Sequence, residues 1–232
     1  MSITAFVPAR SGSKRVPGKN TRLLAGKPLL VWTLEACANA RGVDKVIFST
    51  DSQDYWDIAR EYVSEEKLTL DWRSPDEAGD KVKIFDYLVS ARDRIFTTRD
   101  GVFILALPTV PLRRADQVEE AIALYQKTGK AVFSATAYGF PVSFAFHMAD
   151  DSGWTPMLQN SPMVTGNTRS QDQVPAYHPN GAIYVRAIAD LGTPGLKTLY
   201  DGASPYLMDA NSSVDIDNES DFLVAAALVG AR

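Results

Sequence analysis

The residues best suited to chemistry open the chain, in MSITAFVPARSGSKRVPGKN. Six cations, Arg10, Lys14, Arg15, Lys19, Arg22 and Lys27, precede the first acidic residue, Glu35, in a chain whose formal net charge is −4. Arg10, Lys14, Arg15 and Lys19 surround the small residues Ser11, Gly12 and Ser13, directly behind a strand-like run. Small residues let backbone N–H groups approach an anion, and the positive end of a following helix can add to them. The segment reads either as a phosphate-holding turn charged for a triphosphate or as a solvated basic turn. It matches neither the G-x-x-x-x-G-K-[ST] nor the G-x-G-x-x-G pattern. Near the other end, SVDID sets Asp215 and Asp217 at i and i+2, on one face of an extended segment. Two carboxylates on one face can ligate Mg²⁺, a hard cation that prefers oxygen. The alternative is simple stabilisation of the helix start that follows. His147 and His178 have no metal-ligand spacing, and no Ser-His-Asp or Cys-His constellation has motif support.

Alternating strands and helices must position these groups. ITAFV (3–7), KVIFST (45–50), GVFILAL (101–107), AVFSATAY (131–138) and GAIYVRA (181–187) read as strands. PLLVWTLEACANA (28–40) carries Pro28 at a first helical position. Asp51 or Ser52 is placed to cap a helix through WDIAREYV. Lys81 to Arg94 fits an amphipathic helix, and 115–129 fits another that stops at Gly129. A short acidic stretch and a terminal helix fill 212–231. Such alternation implies an α/β fold, with a central, mostly parallel sheet flanked by helices. From about 139 to 178 the pattern weakens among prolines and aromatics. That span is too long for an ordinary loop, and predicts a lid or an arm within a single 1–232 domain.

The whole-chain composition narrows the class. At 232 residues, 45% hydrophobic and 22% charged, the chain suits one large soluble domain. Its acidic balance argues against nucleic-acid binding. The lone Cys37, the lack of an apolar run of ~20 residues and the lack of a signal-peptide pattern predict a cytoplasmic protein without membrane contact.

The order of motifs goes further. FVPARSGSKRVPGKN followed by LLAGKPLLVWTLEAC resembles the opening of the acylneuraminate cytidylyltransferases, the CMP-sialic acid synthetase family, with its PARxGSKxxPxKN loop and GKPL stretch. STD (49–51) follows the second strand, and LPTVPLR (107–113) resembles QPTSPLR. RSQDQVPAYHPNGAIYV (169–185) resembles RRQDLPxxYxxNGAIYI, and SVDIDNESDF (213–222) resembles SxDIDTxxDF. The resemblance spans nearly the whole chain. It implies a nucleotidyltransferase fold and a Mg²⁺-dependent enzyme that joins CTP to a 2-keto sugar acid and releases pyrophosphate. It also implies a homodimer in which each arm reaches the partner's site.

Carried over by matching positions, Arg10, Lys14, Lys19 and Asn20, with the Ser11–Gly12–Ser13 turn, would hold the triphosphate. Arg10 and Lys19 would stabilise the leaving pyrophosphate. Arg73 would lie near the cytidine, and Asp215 and Asp217 would hold Mg²⁺. Asn180 and Tyr184 would line the sugar pocket, with Arg169, Gln171 and Asp172 at the end of the arm. Several positions depart from the pattern. Leu107 replaces a Gln, Val110 a Ser and Ser170 an Arg, and DKVKI (80–84) lacks the usual small residues near the base. Losing the Gln removes an amide that could pair with a polar sugar substituent, so the expected substrate is a sugar acid other than ordinary N-acetylneuraminate. The rivals are a nucleotidyltransferase using another NTP or a sugar 1-phosphate, and a non-catalytic nucleotide-binding protein.

Overall fold

The computed structural model of the protein describes residues 1–13, 16–150 and 152–230. β1 (Ser2–Pro8) leads through the basic loop and a 3-10 turn, Lys19–Thr21, to a small hairpin of β2 (Leu23–Leu24) and β3 (Lys27–Pro28). Then come α1 (Leu29–Asn39), β4 (Lys45–Thr50), α2 (Gln53–Tyr62) and β5 (Leu68–Trp72). α3 (Ile84–Ser90) and α4 (Arg92–Ile95) precede β6 (Gly101–Leu105), and α5 (Ala115–Thr128) precedes β7 (Val132–Ala137). The weakly patterned span holds a hairpin of β8 (Phe146–Met148) and β9 (Trp154–Pro156), then the single turn α6 (Pro162–Thr165). β10 (Tyr177–Ala187), β11 (Ser204–Leu207) and α7 (Glu219–Gly230) complete the chain.

Seven strands form one sheet in the order β11-β7-β10-β6-β1-β4-β5. All neighbours are parallel except β10, which runs antiparallel to both β6 and β7. Alternation along each strand feeds two cores. Ala5, Val7, Val46, Phe48 and Ile104 face Leu30, Leu34, Val118 and Ile122 of α1 and α5. Phe6, Ile47, Phe103 and Leu105 face Tyr87 and Leu88 of α3 on the opposite side. Cys37 is buried in the first of these cores, and burial pushes its thiol up to about 11. From β1 the chain builds outward to β4 and β5 on one side, and β6 lies on the other. The crevice at such a switch point, beyond the carboxyl ends of the strands, is where open α/β sheets hold ligands.

The departures from sequence expectation are local. The single helix over Lys81 to Arg94 is instead α3 and α4, divided at Ala91, whose ψ of 7° leaves the helical region. The fourth helix-forming signal holds: α5 ends at Gly129, with φ 65°, where a side chain would be strained. Ser52, not Asp51, caps α2, accepting from Tyr55 N at 3.4 Å. β6 stops at Leu105, two residues before the expected end, and β10 begins at Tyr177 rather than 181. β10 carries a register shift between Pro179 and Tyr184. Gly181, at φ 73°, turns the backbone there against Leu107, whose Cδ1 would lie 3.4 Å from any added Cβ.

Candidate functional site

A cleft of about 520 Å³ opens at the switch point, bordered by Arg10, Lys19, Asn20, Arg73, Asp80 and Asp217. The loop after β1 is fixed from behind. Asp51, at the end of β4, accepts from Ser11 N and Ser11 Oγ, both at 2.7 Å, and Ala9 N donates to Ser49 O at 2.8 Å. Ser11 is thereby tied to Asp51, while Gly12 and Ser13 line the cleft. Lys14 lies outside the described residues. Asn20 Nδ2 donates to Arg10 O at 3.1 Å, tying the two ends of the loop together. The expected helix end is corrected: a 3-10 turn and a hairpin intervene before α1 begins at Leu29. Positive charge in this loop therefore comes from side chains.

The carboxylate pair sits on an extended segment that no strand pairs. Ile216 stands in for the missing ladder. Its N–H donates to Thr109 O at 2.8 Å, and its carbonyl accepts from the buried Lys19 Nζ at 2.5 Å. Its side chain is buried among Leu24, Leu29, Leu112 and Phe222. With Ile216 inward, Asp215 and Asp217 turn outward, as the alternation predicts, and Asp217 borders the cleft. Asp215 keeps an open edge to solvent, yet its carboxyl titrates above the ordinary range. Desolvation by the surrounding protein is the main cause; a Thr109 hydrogen bond and Lys19 oppose it, and Asp217 and Asp221 reinforce it. Asp221 accepts from the N–H groups of Asp217 and Asn218, both at 2.9 Å, and so seats the start of α7. Arg22 grips the same turn through a two-pronged pair with Glu219, at 2.5 and 2.6 Å. No group of three or more His, Cys, Asp or Glu side chains among the described residues is placed to hold a metal. A cation at the aspartate pair would complete its shell with ligand oxygens and water.

Two buried arginines frame the other walls. Arg73 is only 5% exposed, and its Nε finds no hydrogen-bond partner among the described residues. Burial holds its guanidinium below the usual arginine range. Arg113 donates to Thr33 Oγ1 at 2.6 Å and to Leu107 O at 2.5 Å, with burial lowering it to about 10. It thereby sets the turn that carries Leu107 and Thr109. Leu107 separates the cleft from a second cavity of about 270 Å³, walled by Ile84, Leu105, Leu199, Tyr184 and Tyr200. The Tyr184 and Tyr200 hydroxyls lie 3.0 Å apart, and burial raises the Tyr184 phenol.

Not every expected site residue is brought here. Asn180 is buried with its amide committed: Oδ1 accepts from Ser134 Oγ and Ala182 N, and Nδ2 donates to Ser213 Oγ at 2.8 Å. It lines neither cavity, and its amide supports β10. Arg169, Gln171 and Asp172 lie on the arm, outside the lining of this chain's own cleft; Arg169 pairs with Asp172 at 3.7 Å. Sequence reasoning missed Asp51 as loop anchor, Asp80, Thr109 and Tyr200. Asp51, Thr109 and Asp80 stood inside quoted stretches, Asp80 at the head of DKVKI, whereas Tyr200 carried no pattern of its own.

Comparison with known proteins follows the same lines. The cytidylyltransferase family model matches residues 4–81. The N-acylneuraminate cytidylyltransferase of Escherichia coli O18:K1:H7 is 34% identical across 97% of this chain, which spans about half of that relative, 52%. The CMP-N,N'-diacetyllegionaminic acid synthase of Legionella pneumophila is 31% identical, over 99% of this chain and 97% of its own length. Among solved structures, CMP:2-keto-3-deoxy-manno-octonic acid synthetase complexed with CTP superposes with a TM-score of 0.68 at 15% identity, covering 100% of this chain and 99% of its own. At that identity the match speaks for the fold.

At the cleft mouth Arg10 NH1 pairs with Asp80 Oδ1 at 2.5 Å, with each side chain about one-third exposed, 36% and 37%. An ion pair this open is worth ~0.2–1 kcal/mol. An incoming polyphosphate must take Arg10 from Asp80. Asp80→Asn is therefore expected to tighten binding of inorganic triphosphate by about two- to fivefold at low salt. The gain should fade at high salt as the charges are screened. Titration calorimetry at two ionic strengths checks this, and equal affinities at low salt would show that Asp80 does not compete for Arg10.

Proposed function

The chain belongs to the acylneuraminate cytidylyltransferase family, and on that premise we propose that it transfers CMP from CTP to the anomeric hydroxyl of a sialic-acid-like 2-keto sugar acid. The hydroxyl oxygen forms a bond to the α-phosphorus and gives up its proton to water, while the bond from that phosphorus to the α–β bridging oxygen breaks and its electron pair leaves with pyrophosphate. The observation that carries this reading is the joining of a basic loop, through Lys19 and Ile216, to the segment that carries the aspartate pair, with Lys19 and Asp217 bordering one cleft. Crowded negative charge makes positioning and neutralisation the main catalytic tasks. Arg10 and Lys19, with the Gly12 and Ser13 backbone, would hold the triphosphate and stabilise the departing pyrophosphate; Asn20 keeps Arg10 in place. Arg73 would face the nucleoside. Asp215 and Asp217 fit Mg²⁺, being oxygen donors whose mutual repulsion a cation relieves. Bound there, Mg²⁺ supplies neutralisation of the phosphate oxygens. Consumption of CTP and the lone buried thiol, Cys37, suit a cytoplasmic enzyme. No helix among the described residues is long and apolar enough to cross a membrane.

Pyrophosphate release across four NTPs, with sugar acids and sugar 1-phosphates, tests the reading. CTP with a nonulosonic acid is the expected pair, and the product mass should equal the CMP adduct. Turnover only with a sugar 1-phosphate, or nucleotide binding with no turnover, would overturn it. Asp217→Asn keeps side-chain size but loses charge, and should cut turnover by roughly a hundredfold or more at limiting Mg²⁺ with the circular dichroism unchanged.

The second cavity suits the sugar. Leu107 and Ile84 border both cavities, so a sugar acid there would lie beside the nucleotide. A leucine cannot read a hydroxyl or acylamino group, and favours an apolar substituent such as a methyl. Leu107→Gln should shift relative kcat/KM toward N-acetylneuraminate by several-fold, from one added hydrogen bond of ~0.5–1.5 kcal/mol. The ratio between two sugars at saturating CTP is the readout. An unchanged ratio, or a wild type that already prefers N-acetylneuraminate, would remove Leu107 from substrate selection.

The arm supplies the surface for a second copy. Phe140, Met148, Trp154, Val164 and Val174 are all exposed on it, apolar side chains that a partner surface would take out of water. A homodimer would cover these residues and let Arg169, Gln171 and Asp172 serve the partner's cleft. Phe140→Asp with Val174→Asp should convert a dimer into a 25.4 kDa monomer of low activity. Light scattering reads the mass. A monomeric wild type would refute the arrangement.

A further inference from the structure

Arg73 borders the cleft, yet most of what fixes it lies behind the wall. Its N–H donates to Thr50 O at 2.9 Å, its NH2 donates to Glu77 O at 2.5 Å, and its guanidinium carbon stands 4.5 Å from the centre of the Tyr87 ring. Tyr87 is 1% exposed and is itself locked. Its hydroxyl donates to Asp71 Oδ2 at 2.5 Å and accepts from Arg94 NH2 at 2.6 Å. Asp71 also accepts from Ser49 Oγ at 2.6 Å and from Arg94 Nε at 3.3 Å. Arg94 NH1 reaches Glu77 Oε1 at 2.8 Å, so one arginine grips both the Tyr87 hydroxyl and the residue whose carbonyl holds Arg73. Burial and Asp71 push the Tyr87 phenol up to about 12, which keeps it a neutral donor at ordinary pH.

This arrangement does more than fill space. The Tyr87 ring occupies one face of the Arg73 guanidinium, its NH2 is committed to Glu77 O and its Nε is buried, so the remaining NH1 edge is the part left to meet a ligand at the cleft. A desolvated cation with an unused donor at a cleft wall is suited to a ligand acceptor, provided that its orientation is held.

We propose that Tyr87 is a positioning residue for nucleotide recognition: tied to Asp71 and Arg94, it holds Arg73 edge-on to the cleft, where Arg73 meets the nucleoside part of CTP. The proposal rests on the CTP reading above. It separates two ends of the ligand. Loosening Tyr87 should weaken contacts on the nucleoside side, while the phosphate side, held by the loop after β1, keeps its affinity.

Tyr87→Phe retains the ring and loses the hydroxyl ties. Arg94→Gln removes the grip from a side chain that is 48% exposed, and so spares the core. Each variant should raise the dissociation constant for CTP by roughly three- to tenfold, because a charge-assisted contact is partly lost. Inorganic triphosphate should bind each variant as it binds wild type, and the preference for CTP over UTP should fall. The double variant should lose less than the product of the single losses, since both act through one tie. A merely structural role would instead lower the melting temperature and weaken both ligands alike. Unchanged CTP affinity in both variants, or equal weakening of CTP and triphosphate, overturns the proposal. A wild type that binds triphosphate but not CTP overturns the functional reading beneath it.

Discussion

The site depends on one buried hydrogen bond, from the Lys19 ammonium to the carbonyl of Ile216. It joins positions 197 residues apart, linking the basic loop to the segment between the two aspartates. A buried ammonium without acceptors would be costly, so the bond fixes both elements at once. Lys19 is 9% exposed and Ile216 is fully buried. The Ile216 N–H, bound to Thr109 O, adds the turn after β6 to the same assembly. Three separate segments thus meet at a main-chain unit flanked by carboxylates. The cation and the acids are thereby brought near each other.

Packing supports the same junction. The two large cores lie on opposite faces of the sheet and fix β1, β4 and β6. The third, smaller core unites the β2–β3 hairpin, the turn after β6 and α7 around Ile216. Arg22 extends it at the surface, stacking 4.1 Å over the Phe222 ring while pairing with Glu219. Removing apolar area from this small cluster would disturb the aspartates without touching them.

Much of this was legible in the sequence, and the reasons differ by element. β1, β4 and β6 are short apolar runs buried on both sides, so their hydrophobicity is continuous and easily read. The aspartate pair was legible by its alternation, although that alternation is enforced by Ile216 and not by strand pairing. β5 escaped notice because LTLDW spends one inward position on Asp71, a carboxylate satisfied by Ser49, Tyr87 and Arg94 from distant parts of the chain. The break between α3 and α4 left no Gly or Pro to mark it. The partners of Asn180 were not legible, because a motif gives residue identity but not the direction of the side chain. The Ser11 tie was hidden similarly: its hydroxyl donates to Asp51, forty positions away. Partners so remote in sequence are set by the fold as a whole, which local pattern does not encode.

The arm is inserted between two strands that pair with each other. β7 ends at Ala137, β10 begins at Tyr177, and these two residues are register partners. Tyr138 N donates to Ala176 O at 3.0 Å, closing the neck just outside the sheet. In topological terms the arm is an overgrown hairpin loop. Closure entropy rises only slowly with loop length, by about 0.6 kcal/mol per doubling. Residues can therefore be gained, lost or exchanged beyond the neck while sheet register and cleft stay as they are. Evolution is thereby given a module that can diversify what the protein touches at its periphery, leaving the cleft-bearing half of the molecule under separate selection.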